Sequence, residues 1–101
     1  MDIMIYSGNG ETTLDFRASE WKRLCRVIEK ACKRCSLLFI AEKLEALQTV
    51  GTECHLMKWD CHRLAEAMSL VLPKSKRQER LRKEAQGFIA FLWDADGFEK
   101  S

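Results

Sequence analysis

Apolar residues in the stretch Ser19 to Phe39, SEWKRLCRVIEKACKRCSLLF, recur at three- and four-residue spacings: Trp21, Leu24, Cys25, Ile28, Ala31, Cys32, Cys35 and Leu38. That period lines one face of an α-helix. The spacing predicts a helix from Ser19, as its N-cap, to about Cys35, with Glu20 in the first turn against the positive end of the helix dipole. Beyond Cys35 the apolar set moves to Leu37, Ile40, Ala41, Leu44 and Leu47, a rotated stripe, because Glu42 falls where the first would continue. The rotation predicts a kink or short break near Ser36 and helix onward to about Gln48. The run CSLLFI also fits a short buried strand, since periodicity does not separate the two in short apolar runs.

On the N-terminal side the period is two. Ile3 and Ile5, then Leu14 and Phe16, alternate with more polar neighbours around Ser7 to Glu11, where Asn9 and Gly10 tolerate the positive φ of a tight turn. This predicts a β-hairpin over roughly Asp2 to Phe16, and an isolated hairpin is unstable in water, so it must lie on the helices. GNGETT lacks the lysine and the immediate helix start of a phosphate loop. Past Val50 and Gly51, the stretch Gly51 to Met57 reads as a loop or short extended piece. A helix comes next, from about Lys58 to Leu72, with Cys61, Leu64, Ala65, Met68, Val71 and Leu72 on one face, and Pro73 stops it. Ser75 can cap a last helix carrying Leu81, Ala85, Phe88, Ile89, Leu92 and Trp93. Gly97 reads as its C-terminal glycine, with Phe98 folding back on the last turn. The expected fold is mainly α, a small bundle of three to four helices with an N-terminal β-hairpin, in one domain.

Composition narrows the class. The 101 residues are 47% hydrophobic and 32% charged, ordinary for a globular domain and too apolar for a disordered chain. The longest apolar run, Phe88 to Trp93, and the run Leu37 to Ala41 are both far short of the roughly 18 residues of a membrane helix. The N-terminus has no basic region and no signal-like apolar core. Five cysteines, an odd number, point to reduced thiols and a cytoplasmic protein.

Cys32 and Cys35 form CxxC, and Cys54, His55, Cys61 and His62 lie beyond it, enough soft ligands for a tetrahedral zinc. The favoured reading is packing, because Cys25, Cys32 and Cys35 share the apolar stripe of one helix and Cys61 that of another. The metal alternative is a zinc-stapled module in which Cys32 and Cys35 meet Cys54 or His55. For catalysis, adjacent Cys61 and His62 point in different directions on a helix, and Glu42 with Glu45 and Asp94 with Asp96 read as solvated surface. No acid, base and nucleophile set is legible, so neither an enzyme nor a cofactor is expected.

Charge is more informative by position than by total. The net charge is +2, yet Lys22, Arg23, Arg26, Lys30, Lys33 and Arg34 form a ridge opposite the first helix's apolar stripe. A second cluster, Lys74, Lys76, Arg77, Arg80, Arg82 and Lys83, fills the start of the last helix, where the dipole disfavours cations and free backbone N–H groups attract anions. The plain reading is a face balanced by Glu79, Glu84 and solvent. The functional reading is a docking surface centred on Arg26, Lys30 and Lys33, joined by Lys76, Arg77, Arg80 and Lys83. An acidic protein partner is preferred to nucleic acid, because no aromatics interleave with the cations and the pI of about 8.3 is modest.

The order YSGNG, LDFRASEW opening a helix, DCHRLAEAM after a glycine loop, and a closing GFIAFLWDADGF resembles a group of small uncharacterised bacterial proteins. Those share an FR-S-W start, a D-A-x-x-L-A-x-A-L helix and an F-x-x-F-x-x-x-x-G-G-F end. Cys61 stands where that group has alanine and Asp96 where it has glycine, and Cys32 to Val50 does not follow the pattern. The resemblance implies a bacterial or phage origin and the bundle, and no activity. Together these readings predict a non-enzymatic accessory protein of the immunity, inhibitor or anti-defence type, which binds an acidic protein through basic helical surfaces. The alternatives are a nucleic-acid-binding regulator and the zinc module. A homo-oligomer is compatible with all three, and none involves a membrane.

Overall fold

The alternation of the N-terminal stretch produces two strands, β1 (Asp2–Ser7) and β2 (Thr13–Arg17), paired antiparallel with Ile3 opposite Phe16 and Ile5 opposite Leu14. The computed structural model describes residues 2–101. Ile3 and Ile5 are fully buried, whereas Leu14 and Phe16 are half-buried at the sheet's edge. In the turn, Gly10 takes φ +73°, and the Asn9 side-chain oxygen accepts from the Ser7 hydroxyl at 2.7 Å and the Glu11 N–H at 3.0 Å.

The helices are α1 (Ala18–Cys35), α2 (Leu38–Ala41), α3 (Leu44–Gln48), α4 (Lys58–Leu70) and α5 (Glu79–Asp94), the last preceded by a 3₁₀ turn at Lys76–Gln78. α1 starts earlier than the expected Ser19 cap. Arg17 is the capping residue, and its N–H donates to the Glu20 carboxylate at 3.1 Å, so Glu20 does locally what Ser19 was expected to do. The break at Ser36 is real: this serine lies in the left-handed region at φ 53° and ends α1. The chain beyond it forms two short helices, neither one helix to Gln48 nor a strand. Trp21 ties the second of them, α3, to α1, its indole N–H donating to the Leu47 carbonyl at 2.6 Å. α4 ends at Leu70, two residues short of the expected end, leaving Val71 and Leu72 half-buried.

Two strands were not legible as strands. β3 (Cys54–Leu56) is the short extended piece allowed between Gly51 and Met57, and β4 (Phe98–Lys100) comes after α5. The sheet is four-stranded and antiparallel, in the order β2-β1-β4-β3, so β4 is inserted between the hairpin and β3. Gly97 is therefore a strand lead-in rather than the helix-ending glycine. Ala95 caps α5, and Gly97 at φ +79° lets the chain turn under the Leu56 carbonyl. Phe98 does reach back to α5, its ring 6.0 Å from Phe88 and 6.3 Å from Phe91, but as part of the sheet.

α1, α4 and α5 cover the inner face of this sheet. The core between them is centred on aromatic contacts, with Trp21 5.8 Å from Phe88 and 5.4 Å from Phe16. Val27 and Phe91 belong to it, although neither falls on the expected stripes. Lys100 is also inside, at 1% exposure. Its amine donates to the carbonyls of Thr49 at 2.8 Å and Thr52 at 2.6 Å, so a charged residue closes the loop before β3.

Candidate functional site

With 100° between successive residues, a helix that buries Trp21, Leu24, Cys25, Ile28, Ala31 and Cys32 turns the residues between them outward. Lys22, Arg23, Arg26, Lys30, Lys33 and Arg34 are all exposed along α1. Among the described residues, only Lys33 of this ridge has an ion-pair partner, Glu29 at 3.3 Å. Lys22, Arg23, Arg26, Lys30 and Arg34 stand without a carboxylate in pairing range.

The second cluster is organised differently from the expectation. Lys74 precedes the 3₁₀ turn, Lys76 and Arg77 lie within it, and only Arg80, Arg82 and Lys83 belong to α5. Ser75 caps the 3₁₀ turn, accepting from the Arg77 N–H at 3.2 Å. Arg80 reaches Glu20 of α1 at 3.5 Å and Glu84 at 3.4 Å, and Lys83 reaches Glu79 at 3.7 Å. Arg80 therefore joins the two clusters at the N-terminal end of α1. Arg80 and Lys83 are balanced by nearby acids, while Lys76 and Arg77, exposed in the 3₁₀ turn, make no ion pair among the described residues.

The candidate zinc ligands are not brought together. Cys32 is buried, whereas Cys35, one turn on and at the helix end, is exposed, off the core it was expected to join. Cys54 points into the core from β3, and His55, the next residue on the strand, points out. No group of three or more histidine, cysteine or acidic side chains suited to a metal occurs among the described residues. Burial pushes the Cys25 and Cys61 thiols up to about 12 and Cys32 to about 11, and it raises Cys54 as well. Thiols held in the protonated form are packing groups and poor nucleophiles.

A cavity of about 360 Å³ opens on the outer face of the sheet near β3 and β4. There the strand order aligns Tyr6, Glu99 and His55 in one row, with His55 Nδ1 3.8 Å from the Glu99 carboxylate. Cys54 also borders this cavity, but its side chain lies on the core side of the strand, where burial holds the thiol protonated.

Two residues expected on apolar helical faces, Leu38 of the first stripe and Trp93 of the last helix, stand exposed. Leu38, assigned to the first stripe, is 74% exposed, Phe39 54%, Trp59 69% and Trp93 44%. Trp59 and Trp93 flank His62, whose ring centroid is 5.8 Å from the first and 5.0 Å from the second. Trp59 lies off the apolar face of α4, a signal available in the sequence: a large aromatic on the polar side of a helix has no core reason to be there. No helix among the described residues is long and apolar enough to cross a membrane. No family model, curated protein or solved structure matches the chain.

Proposed function

We propose that this is a non-enzymatic protein-binding accessory protein, of the immunity, inhibitor or anti-defence kind, that docks an acidic protein surface on the basic ridge of α1. The observation that carries this reading is the contrast in pairing. Arg80 and Lys83 have carboxylates in ion-pair range, while Lys22, Arg23, Arg26, Lys30 and Arg34 on α1 have none among the described residues. Uncompensated like charges on one face repel each other. A partner bearing carboxylates relieves that repulsion and is steered in by it. A cytoplasmic setting accords with five free cysteines, and a bacterial or phage origin with the resemblance at the two ends of the chain.

The test is affinity capture from the host with mass spectrometry, using the wild type and the triple variant Arg23→Glu, Arg26→Glu, Lys30→Glu. The expected result is an acidic protein retained by the first and lost by the second. Retention unchanged by the reversal refutes the reading. Binding of duplex or single-stranded nucleic acid that falls steeply with salt would replace it with phosphate recognition.

A further inference from the structure

The outermost line of α4 is Trp59, Arg63, Glu66 and Leu70, spaced four, three and four residues apart and opposite the buried Cys61, Leu64, Ala65 and Met68. Trp59 is 69% exposed and Leu70 60%. Arg63 and Glu66 are exposed too, and neither takes part in an ion pair among the described residues. The line reads apolar, basic, acidic, apolar, and reversing it gives the complement of each charge at the same spacing.

We infer that α4 pairs antiparallel with α4 of a second copy of this chain, about a two-fold axis perpendicular to the helix. Trp59 then meets Leu70 of the second copy, Arg63 meets Glu66, and symmetry repeats both contacts. A two-fold of this kind turns α4 end for end but keeps each flanking element on its own side. α2 of one copy therefore lies beside α2 of the other, and the α5 flank beside its equivalent. Both flanks carry uncovered apolar side chains. On the first, Leu38 and Phe39 border a groove of about 250 Å³ that Asp60 and Arg63 also line; on the second stands Trp93.

The area fits a dimer. Trp59, Leu70, Leu38, Phe39 and Trp93 leave roughly 600 Å² of side-chain surface open per copy, most of the ~800 Å² a side that standard interfaces bury. A helix from another protein would have to reproduce the same order of charges, whereas a second copy supplies it by symmetry. This inference uses α4 and its flanks and does not depend on the α1 ridge.

Sedimentation equilibrium of the full chain over about 1 to 200 µM tests it. The expected result is a reversible monomer–dimer equilibrium. Arg63→Glu sets like charges against each other on both sides of the axis and weakens the dimer at least ~10-fold. Adding Glu66→Arg to the same chain exchanges the pair and restores the dimer. Trp59→Ala weakens it through lost aromatic contact. All these positions are exposed, and circular dichroism checks that each variant keeps its fold. A monomer across the whole range, a dimer indifferent to Arg63→Glu and Trp59→Ala, or a double variant no tighter than the single one overturns the inference. If Arg63→Glu does not fold, Glu66→Arg alone and Trp59→Ala carry the same comparison.

Discussion

Raising the pH above 9 should unfold this protein through its buried thiols. Cys25, Cys32 and Cys61 are at 1%, 4% and 0% exposure, and burial raises them from an ordinary 9.0 to about 12, 11 and 12. A group whose folded value is raised binds its proton more tightly folded than unfolded. Its contribution is complete below pH 9 and is lost as the pH climbs through the folded value. At about pH 10.5 the unfolded chain has lost nearly all three thiol protons and the folded chain few, which costs about 2 kcal/mol per thiol. Together that approaches the whole stability of a domain of this size, roughly 5–15 kcal/mol. Lys100 acts in the opposite sense. Burial holds its amine below the ordinary 10.5, so stability rises with pH from its folded value to 10.5 and gains nothing beyond. Lys100 thus offsets part of the early fall. Urea unfolding followed by circular dichroism, under reductant, at about pH 8, 9.5 and 10.5 reads the slope. The triple variant Cys25→Ala, Cys32→Ala, Cys61→Ala should begin less stable and lose much less over this range, keeping only the opposed contributions of Cys54 and Lys100. A wild-type midpoint that does not move, or a variant that falls just as steeply, refutes the account.

The geometry sets three further outcomes. Gly97→Ala should cost about 2 kcal/mol or more, roughly 10 °C in a thermal melt, because a Cβ at φ +79° would stand 2.6 Å from the Leu56 carbonyl. Lys100→Met should cost about 2 kcal/mol by stranding the Thr49 and Thr52 carbonyls; urea unfolding measures it, and hydrogen exchange should rise in the loop before β3. Arg80→Ala removes two ion pairs whose arginine end is exposed and should shift the urea midpoint by less than the equivalent of about 1 kcal/mol.

The elements with several turns or a clear alternation were legible in the sequence: the hairpin, α1, α4, α5 and the break at Ser36 all reflect periodicity. β3 and β4 were not, since three residues show no period and their pairing joins Cys54 to Lys100 across the intervening helices. Those distant contacts also hid the role of Lys100, which any pattern rule places on the surface. Leu38 failed as a core residue because the left-handed turn at Ser36 carries it off the stripe its spacing extends, and Cys35 because it is the last residue of α1, at the end of the stripe. The basic ridge of α1 was legible because it is the complement of a long buried face. Its pairing state was not, because Glu20 serves Arg80, a partner from another element.

β4 comes after every helix in the sequence yet lies between β1 and β3. During synthesis the hairpin emerges before α1 to α5, and one long side of β1 stays without its neighbour until α5 has been made. At translation rates of about 5–20 residues per second that interval is several seconds, with unpaired backbone and Ile3 and Ile5 uncovered. The sheet can therefore close only once β4 is available to pair with both β1 and β3. A nascent chain halted before Phe98 should be recognised by chaperones and proteases as unfinished, however complete its helices.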